Sequence, residues 1–422
     1  MAMNVWRYLP LLFIGGVALW IVLAQRVMDK LHPRGAVGSA IQPRRPVLRV
    51  VEPPPVAQVQ APVKRPPNWQ DSCSVRKCFV EATGKVCGTC RMEDAPEDDE
   101  VVVPQDYVPD VWKLRRWAIQ GVDDSGEQWP PPLPQEFCED LGDFGGQSDG
   151  NKKALQAMGL VADAALPPTD DDPKLLCIVY TTASRHTTSI RAQRETWGSQ
   201  CDGFLVFSTE ADPRIPAVKV EFEGPEEYDN IWQKVRSIWR FVHKHYGDKF
   251  DFFFIGGDDL FVVPQNLRNY LRTIGRPDDL HFHGRRFRIP NNILFNSGGA
   301  GYILSRASLK LLVDSLDDQR CFPHRKTATE DVQVALCLKN IAGLEPADTR
   351  DEQGRERFHP FAPHNHYAWR PSKDGKDWYE RYNKEWGIKP GADCCAPDSV
   401  SFHYIKKPAM QRHLHALLNY CT

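Results

Sequence analysis

Three short apolar runs set the tightest limit on what this chain can fold into. Leu175-Leu-Cys-Ile-Val-Tyr180, Phe204-Leu-Val-Phe207 and Phe250-Asp-Phe-Phe-Phe-Ile255 are rich in β-branched and aromatic residues. Continuous rather than alternating apolarity, over so short a span, is expected of strands covered on both faces. Between the second and third runs, Glu226 to Tyr246 places Ile231, Val235, Ile238 and Val242 on one helical face, and Gly247 follows as a stop. Leu260-Phe-Val-Val263 resumes as a strand, and Pro264 opens a further helix. Strands alternating with helices specify an α/β domain with a mostly parallel sheet between helical layers.

In open sheets of this kind ligands bind beyond the carboxyl ends of the strands. The third run ends there, in Gly256-Gly257-Asp258-Asp259. Two adjacent carboxylates suit a hard divalent cation or a ribose. The same four residues also make an ordinary β-turn, since Gly and Asp are turn formers.

The rest of the chain reads as a tether. Of 422 residues, 53 are Lys or Arg and 55 are Asp or Glu, a formal net charge of −2. With no basic excess to neutralise a phosphate backbone, a dedicated nucleic-acid binder is excluded. Residues 8–25 carry no charge and are long enough to cross a bilayer as an uncleaved signal anchor. One Arg precedes this run, whereas Arg26, Lys30 and Arg34 follow it, a weak imbalance that by itself favours a cytosolic C-terminal side. Nine of the 34 prolines fall within residues 33–67, as expected of an extended spacer. Residues 25–67 are basic (+6), and residues 93–110 hold eight acids and no Lys or Arg, a solvated linker.

Twelve cysteines raise the question of compartment. Cys73, Cys78, Cys87 and Cys90 are spaced C-x4-C-x8-C-x2-C. Two readings stand for them, two disulfides in an oxidising lumen or a zinc site with an unusually short central spacer. The organisation expected is therefore a tail (1–7), a membrane span (8–25), a Pro-rich stem (26–68), a Cys-containing and acidic region (69–172) and a folded domain (173–422).

Several segments of that domain resemble one family together. Arg191-Ala-Gln-Arg-Glu-Thr-Trp-Gly198, Phe241-Val-His-Lys-His-Tyr246, Gly284-Arg-Arg-Phe287, Ser297-Gly-Gly-Ala-Gly-Tyr302, Glu330-Asp331, Asp348-Thr-Arg-Asp351, Phe358-His-Pro-Phe361 and Cys394-Cys395 with Val400-Ser-Phe-His-Tyr404 are similar to segments of glycosyltransferase family 31, the inverting β1,3-glycosyltransferases. Within it they are most like the core 1 branch, which adds galactose to O-linked N-acetylgalactosamine. The resemblance covers roughly residues 174–405.

The resemblance implies a GT-A (Rossmann-like) fold, a UDP-sugar donor and a divalent cation, usually Mn2+. The implied mechanism is direct displacement at the anomeric carbon with inversion. Asp259 and His403 match the metal ligands, and Asp331, beside Glu330, matches the general base. Arg194, Lys234, Asp258 and Gly299 are expected around the donor. Read without the family, Glu330 and Asp331 would simply favour a helix N-terminus, His403 would be a structural histidine, Arg194 a surface charge and Trp197 core packing. Cys321 and Cys337 bracket Glu330-Asp331 at the core 1 spacing and look like a staple. One departure stands out. Where the core 1 branch has three consecutive Asp, this chain has Gly257-Asp258-Asp259. That leaves two alternatives open, a fringe-like transfer from UDP-N-acetylglucosamine and an inactive, chaperone-like relative. The implied partners are UDP-galactose or another UDP-sugar and a glycoprotein or glycan acceptor, with homodimerisation open. The family is luminal and type II, so Golgi placement with disulfide-bonded cysteines is expected, against the charge imbalance around the span.

Overall fold

The structure is a computed structural model and describes residues 103–104, 107–111, 147–160, 172–213 and 215–419. The expected membrane span, stem and Cys73–Cys90 group lie outside the described residues. Among the described residues no helix is long and apolar enough to cross a membrane.

The three apolar runs become neighbouring strands: β1 (Leu175–Tyr180), β2 (Gly203–Ser208) and, after the short β3 (Ala217–Lys219), β4 (Phe252–Gly257). Strand β1 lies between β2 and β4 and runs parallel to both, and β2 pairs in parallel with β3. After β5 (Phe261–Val262) come β6 (Phe282–Gly284), the hairpin of β7 (Arg286–Ile289) and β8 (Ile293–Asn296), and β9 (Tyr302–Ser305). Strand β9 joins antiparallel to β4 and β6, so the main sheet reads β3-β2-β1-β4-β9-β6. Two-residue strands β10 (Phe358–His359) and β11 (Ser401–Phe402) form a small second sheet with β5.

Alternate strand residues enter opposite cores, as a sheet covered on both faces requires. Leu175, Cys177 and Val179 of β1 lie in one apolar cluster with Phe252 and Phe254 of β4. Leu176 and Ile178 lie in the other, with Phe253 and Ile255. Helices α1 (Gln147–Ala157), α2 (Arg191–Glu195), α3 (Ile231–Tyr246), α4 (Pro264–Thr273), α5 (Arg306–Ser315), α6 (Glu330–Ala342), α7 (Pro363–Ala368), α8 (Trp378–Tyr382) and α9 (Pro408–Asn419) complete the layers. Residues of α1, α4 and α9 pack on the first face, and residues of α3, α5 and α6 on the second. Trp197 is fully buried in the first cluster, the core role expected of it.

Two details differ from the sequence expectation. The helix expected from Glu226 starts at Ile231, because Glu227 is extended and Tyr228–Asn230 make one 3-10 turn. The Asn230 side chain donates to the carbonyls of Glu223 and Pro225, which ties this entry turn. The third strand is shifted two residues toward its carboxyl end, and Phe250 packs in the core ahead of it.

The core also draws on residues before 173. Ala154, Leu155, Met158 and Leu160 join the first cluster and Val111 the second, and the Tyr246 hydroxyl donates to the Pro109 carbonyl at 2.8 Å. Cys321 and Cys337 form the disulfide expected beside α6. Cys177–Cys201, which ties β1 to the segment entering β2, was not foreseen, and Cys394 is bonded to its neighbour Cys395.

Candidate functional site

The small sheet builds the first half of the site. Phe402 of β11 pairs with Phe261 of β5, and the amide of Ile405 donates to the carbonyl of Asp259 at 2.8 Å. This pairing brings His403 beside the turn that follows β4. His403 Nε2 lies 3.2 Å from Asp259 Oδ1, and both side chains stay partly open to solvent. Burial alone would raise the Asp259 carboxyl. The hydrogen bond and charge of His403, with Lys406, outweigh it and hold Asp259 below the usual carboxylate range. Two ligands ~2.1 Å from an octahedral cation in adjacent positions sit ~3 Å apart, so this carboxylate–imidazole pair fits a shared divalent ion.

The second half lies across one glycine-rich turn. Gly298–Ala300 is a single 3-10 turn between β8 and β9. On one side a Cβ at Gly299 would fall 2.4 Å from the His403 ring, and on the other a Cβ at Gly298 would fall 2.6 Å from Glu330 Oε1. Only glycine lets both groups come this close to the backbone. The Gly298 amide donates to Asp331 Oδ2 at 2.9 Å, and the Val332 amide donates to Asp331 Oδ1 at 2.8 Å. Burial pushes the Asp331 carboxyl up, against the pull of these two amides.

The neighbouring acids have separate environments. Asp331 remains partly exposed, whereas Glu330 is 4% exposed and accepts from the Tyr302 hydroxyl at 2.9 Å. Burial, reinforced by the Asp331 charge, raises Glu330 well above the ordinary glutamate range. Glu330 is therefore held beneath the turn by Tyr302, and Asp331 is the more open of the two acids. Both also sit in the first turn of α6, where acids are favoured, so the helix-terminus reading describes their location as well.

Of the expected donor-side residues, Asp258 and Lys234 meet at Thr181. Asp258 Oδ2 accepts from the Thr181 hydroxyl at 2.5 Å, and burial raises its carboxyl. Lys234, 3% exposed, donates to the Thr181 carbonyl at 3.1 Å and pairs with Glu226 at 2.8 Å. Lys234 thus reaches the Asp258 turn through Thr181. Arg194 sits partly exposed on α2, next to Gln193, whose amide donates to the Leu260 carbonyl at 2.9 Å and braces the turn. At Gly257 a Cβ would make only ordinary contacts, 3.4 Å to Asp259 Oδ1 and 3.9 Å to Tyr180. The backbone therefore has room for a Cβ at position 257.

Sequence reading missed four members of this cleft. Thr181 directly follows β1, at a strand carboxyl end where the ligand rule for α/β sheets could have found it. Tyr180 and Tyr228 both feel the charges of Glu330, Asp331 and Asp259. Tyr404 stacks on His403 with ring centroids 3.9 Å apart. Tyr228 and Tyr404 are 72% and 47% exposed, so they present open aromatic surface at the rim.

No family model matches the chain. Over 237 residues it is 31% identical to glycoprotein-N-acetylgalactosamine 3-beta-galactosyltransferase 1 of Xenopus laevis, an alignment covering 56% of this chain and 64% of that protein. It is 24% identical over 302 residues to chondroitin sulfate synthase 3 of Homo sapiens, covering 68% of this chain and 32% of the relative. The chain thus spans less than two thirds of the length of these relatives. Among solved structures, a glycosyltransferase involved in the glycosylation of the major capsid of PBCV-1 matches 58% of this chain and 99% of its own, at 12% identity and a TM-score of 0.32.

Proposed function

We propose that this chain is an inverting β1,3-glycosyltransferase of GT-A architecture that transfers galactose from UDP-galactose to O-linked N-acetylgalactosamine on glycoproteins. The observation that carries this reading is the Gly298–Gly299 turn, with Asp331 held on one side and the Asp259–His403 pair on the other. The similarity to a glycoprotein-N-acetylgalactosamine 3-beta-galactosyltransferase supports the donor and the acceptor. The proposal includes a type II Golgi membrane placement with the folded domain in the lumen.

Asp259 and His403 would hold the cation, Mn2+ in this reading. When bound, such a cation neutralises the departing diphosphate without a proton transfer. Asp331 accepts the proton of the acceptor hydroxyl as that oxygen attacks. Its raised basicity suits it to the task, and the two backbone amides fix the direction of its lone pairs. Glu330 and Tyr302 support the turn from beneath. Thr181 and Lys234 hold Asp258 and the floor of the donor side in place. The exposed rings of Tyr228 and Tyr404 offer apolar faces to a sugar while their hydroxyls reach water.

The test is sugar transfer by the purified full chain with UDP-galactose, Mn2+ and a peptide bearing N-acetylgalactosamine. The expected product is a β1,3-linked disaccharide formed with inversion. Absence of transfer from every UDP-sugar tried, in a chain that retains its fold, would sink the proposal.

A further inference from the structure

We propose that His359, His366 and Cys395 form a second, buried cation site for a thiophilic ion such as Zn2+ or Cu+, which opens when the Cys394–Cys395 disulfide is reduced. One ligand atom from each of the three lies within 4.8 Å of the others, and all three residues are buried. His359 and His366 are 0% and 3% exposed, yet His359 Nδ1 and His366 Nε2 have no hydrogen-bond partner. An unsatisfied buried polar atom is costly, and these two belong to residues clustered with Cys395.

The remaining chemistry agrees. His359 Nε2 is hydrogen-bonded to Ser399 Oγ at 2.9 Å, the kind of outer contact that orients a ligating imidazole and leaves its other nitrogen free. Cys394 Sγ lies 3.3 Å from Met158 Sδ, which adds soft donors next to Cys395. Imidazole, thiolate and thioether together select Zn2+ or Cu+ over hard cations.

The redox step balances with an external dithiol as reductant. The S–S bond of Cys394–Cys395 accepts two electrons and breaks, the dithiol closes into its own disulfide, and two protons end on the two cysteine sulfurs. Cation binding then releases the Cys395 proton to solvent. The site is separate from Asp259 and His403 but touches the strand that carries His403. The His403 amide donates to the His359 carbonyl at 3.0 Å, and Phe402 stacks on His359 at 4.5 Å. The inference does not depend on the glycosyltransferase reading.

The experiment uses Co2+ as probe on the full chain, reduced with a phosphine. Wild type is compared with Cys395→Ser, because the other thiols freed by reduction are common to both. The expected result is one more equivalent of Co2+ in wild type, with a stronger thiolate-to-cobalt charge-transfer band, and no such difference between the oxidised chains. His366→Gln should weaken binding at this site by about tenfold or more while circular dichroism stays unchanged. Asp259→Ala should leave the extra equivalent in place. Equal Co2+ binding by reduced wild type and Cys395→Ser would overturn the proposal. So would a folded His366→Gln chain with unaltered affinity; if that variant does not fold, the cysteine comparison decides.

Discussion

Gly299 lies directly behind the His403 ring, so close that a Cβ there would sit 2.4 Å from two of its atoms. The neighbouring glycine, Gly298, donates its amide to Asp331 at 2.9 Å. One turn therefore sets the distance between the candidate base and the candidate metal ligands. Gly299→Ala should displace His403 and lower transfer on the order of a hundredfold, the cost of a shift of about 1 Å in a positioned group. The check is kcat/KM alongside circular dichroism. A folded Gly299→Ala chain with wild-type turnover would remove the turn from the account.

Position 257 offers the opposite test. A new Cβ there has room, with nothing nearer than 3.4 Å. Gly257→Asp adds a carboxylate on a Cβ 3.4 Å from Asp259 Oδ1, so without a cation like-charge repulsion should lower the melting temperature. With Mn2+ present it should tighten UDP-sugar binding by about tenfold, or 1.4 kcal/mol. Calorimetric titration of the variant with UDP and Mn2+ measures this directly.

The disulfide Cys177–Cys201 closes a loop with a sequence separation of 24. Loop-closure entropy for a ring of this size gives about 3 kcal/mol of stabilisation. Cys177→Ala with Cys201→Ala should lower the unfolding free energy by about 2–4 kcal/mol, read from denaturant midpoints without reductant. An unchanged midpoint would show that β1 is fixed by packing alone.

Acid should destabilise the fold through buried histidines. Burial, aided by the charge of His281, pushes His283 down to about 3, and burial alone takes His415 to about 3. Above the unfolded value of about 6.5 both states are neutral and the full stability is present. As pH falls below it, the unfolded chain takes up protons that the folded chain refuses. Stability then drops by up to about 1.4 kcal/mol per pH unit for each histidine, down toward pH 3. His415→Leu should flatten the fall in urea midpoint between pH 7 and 5; an unaltered slope would assign the acid sensitivity elsewhere.

The strands β1, β2 and β4 were legible because a sheet buried on both faces leaves unbroken apolar runs. The fold around β5, β10 and β11 was not, since two-residue strands carry no periodicity. Yet these strands bring His403 to Asp259 across most of the domain. Asp259, His403 and Asp331 were read from family resemblance, and chain spacing gave no hint that they face one turn. The resemblance alone put Asp331 ahead of Glu330, and burial supplies a physical difference between the more open acid and the one locked to Tyr302. Thr181 was within reach of the carboxyl-end rule and was overlooked. Cys177 was hidden by its setting, where one more small apolar residue in a strand looks like core.

In the proposed reaction the two sides of the Gly298–Gly299 turn carry different tasks. The most direct test measures kcat and Mn2+-dependent UDP binding side by side in Asp331→Asn and Asp259→Asn. Asp331→Asn should lose about 10²–10⁴ in kcat, the range for a general base, with donor binding retained. Asp259→Asn should lose the Mn2+-dependent binding itself. Loss of donor binding in both variants, or turnover unaffected in Asp331→Asn, would contradict this division of tasks.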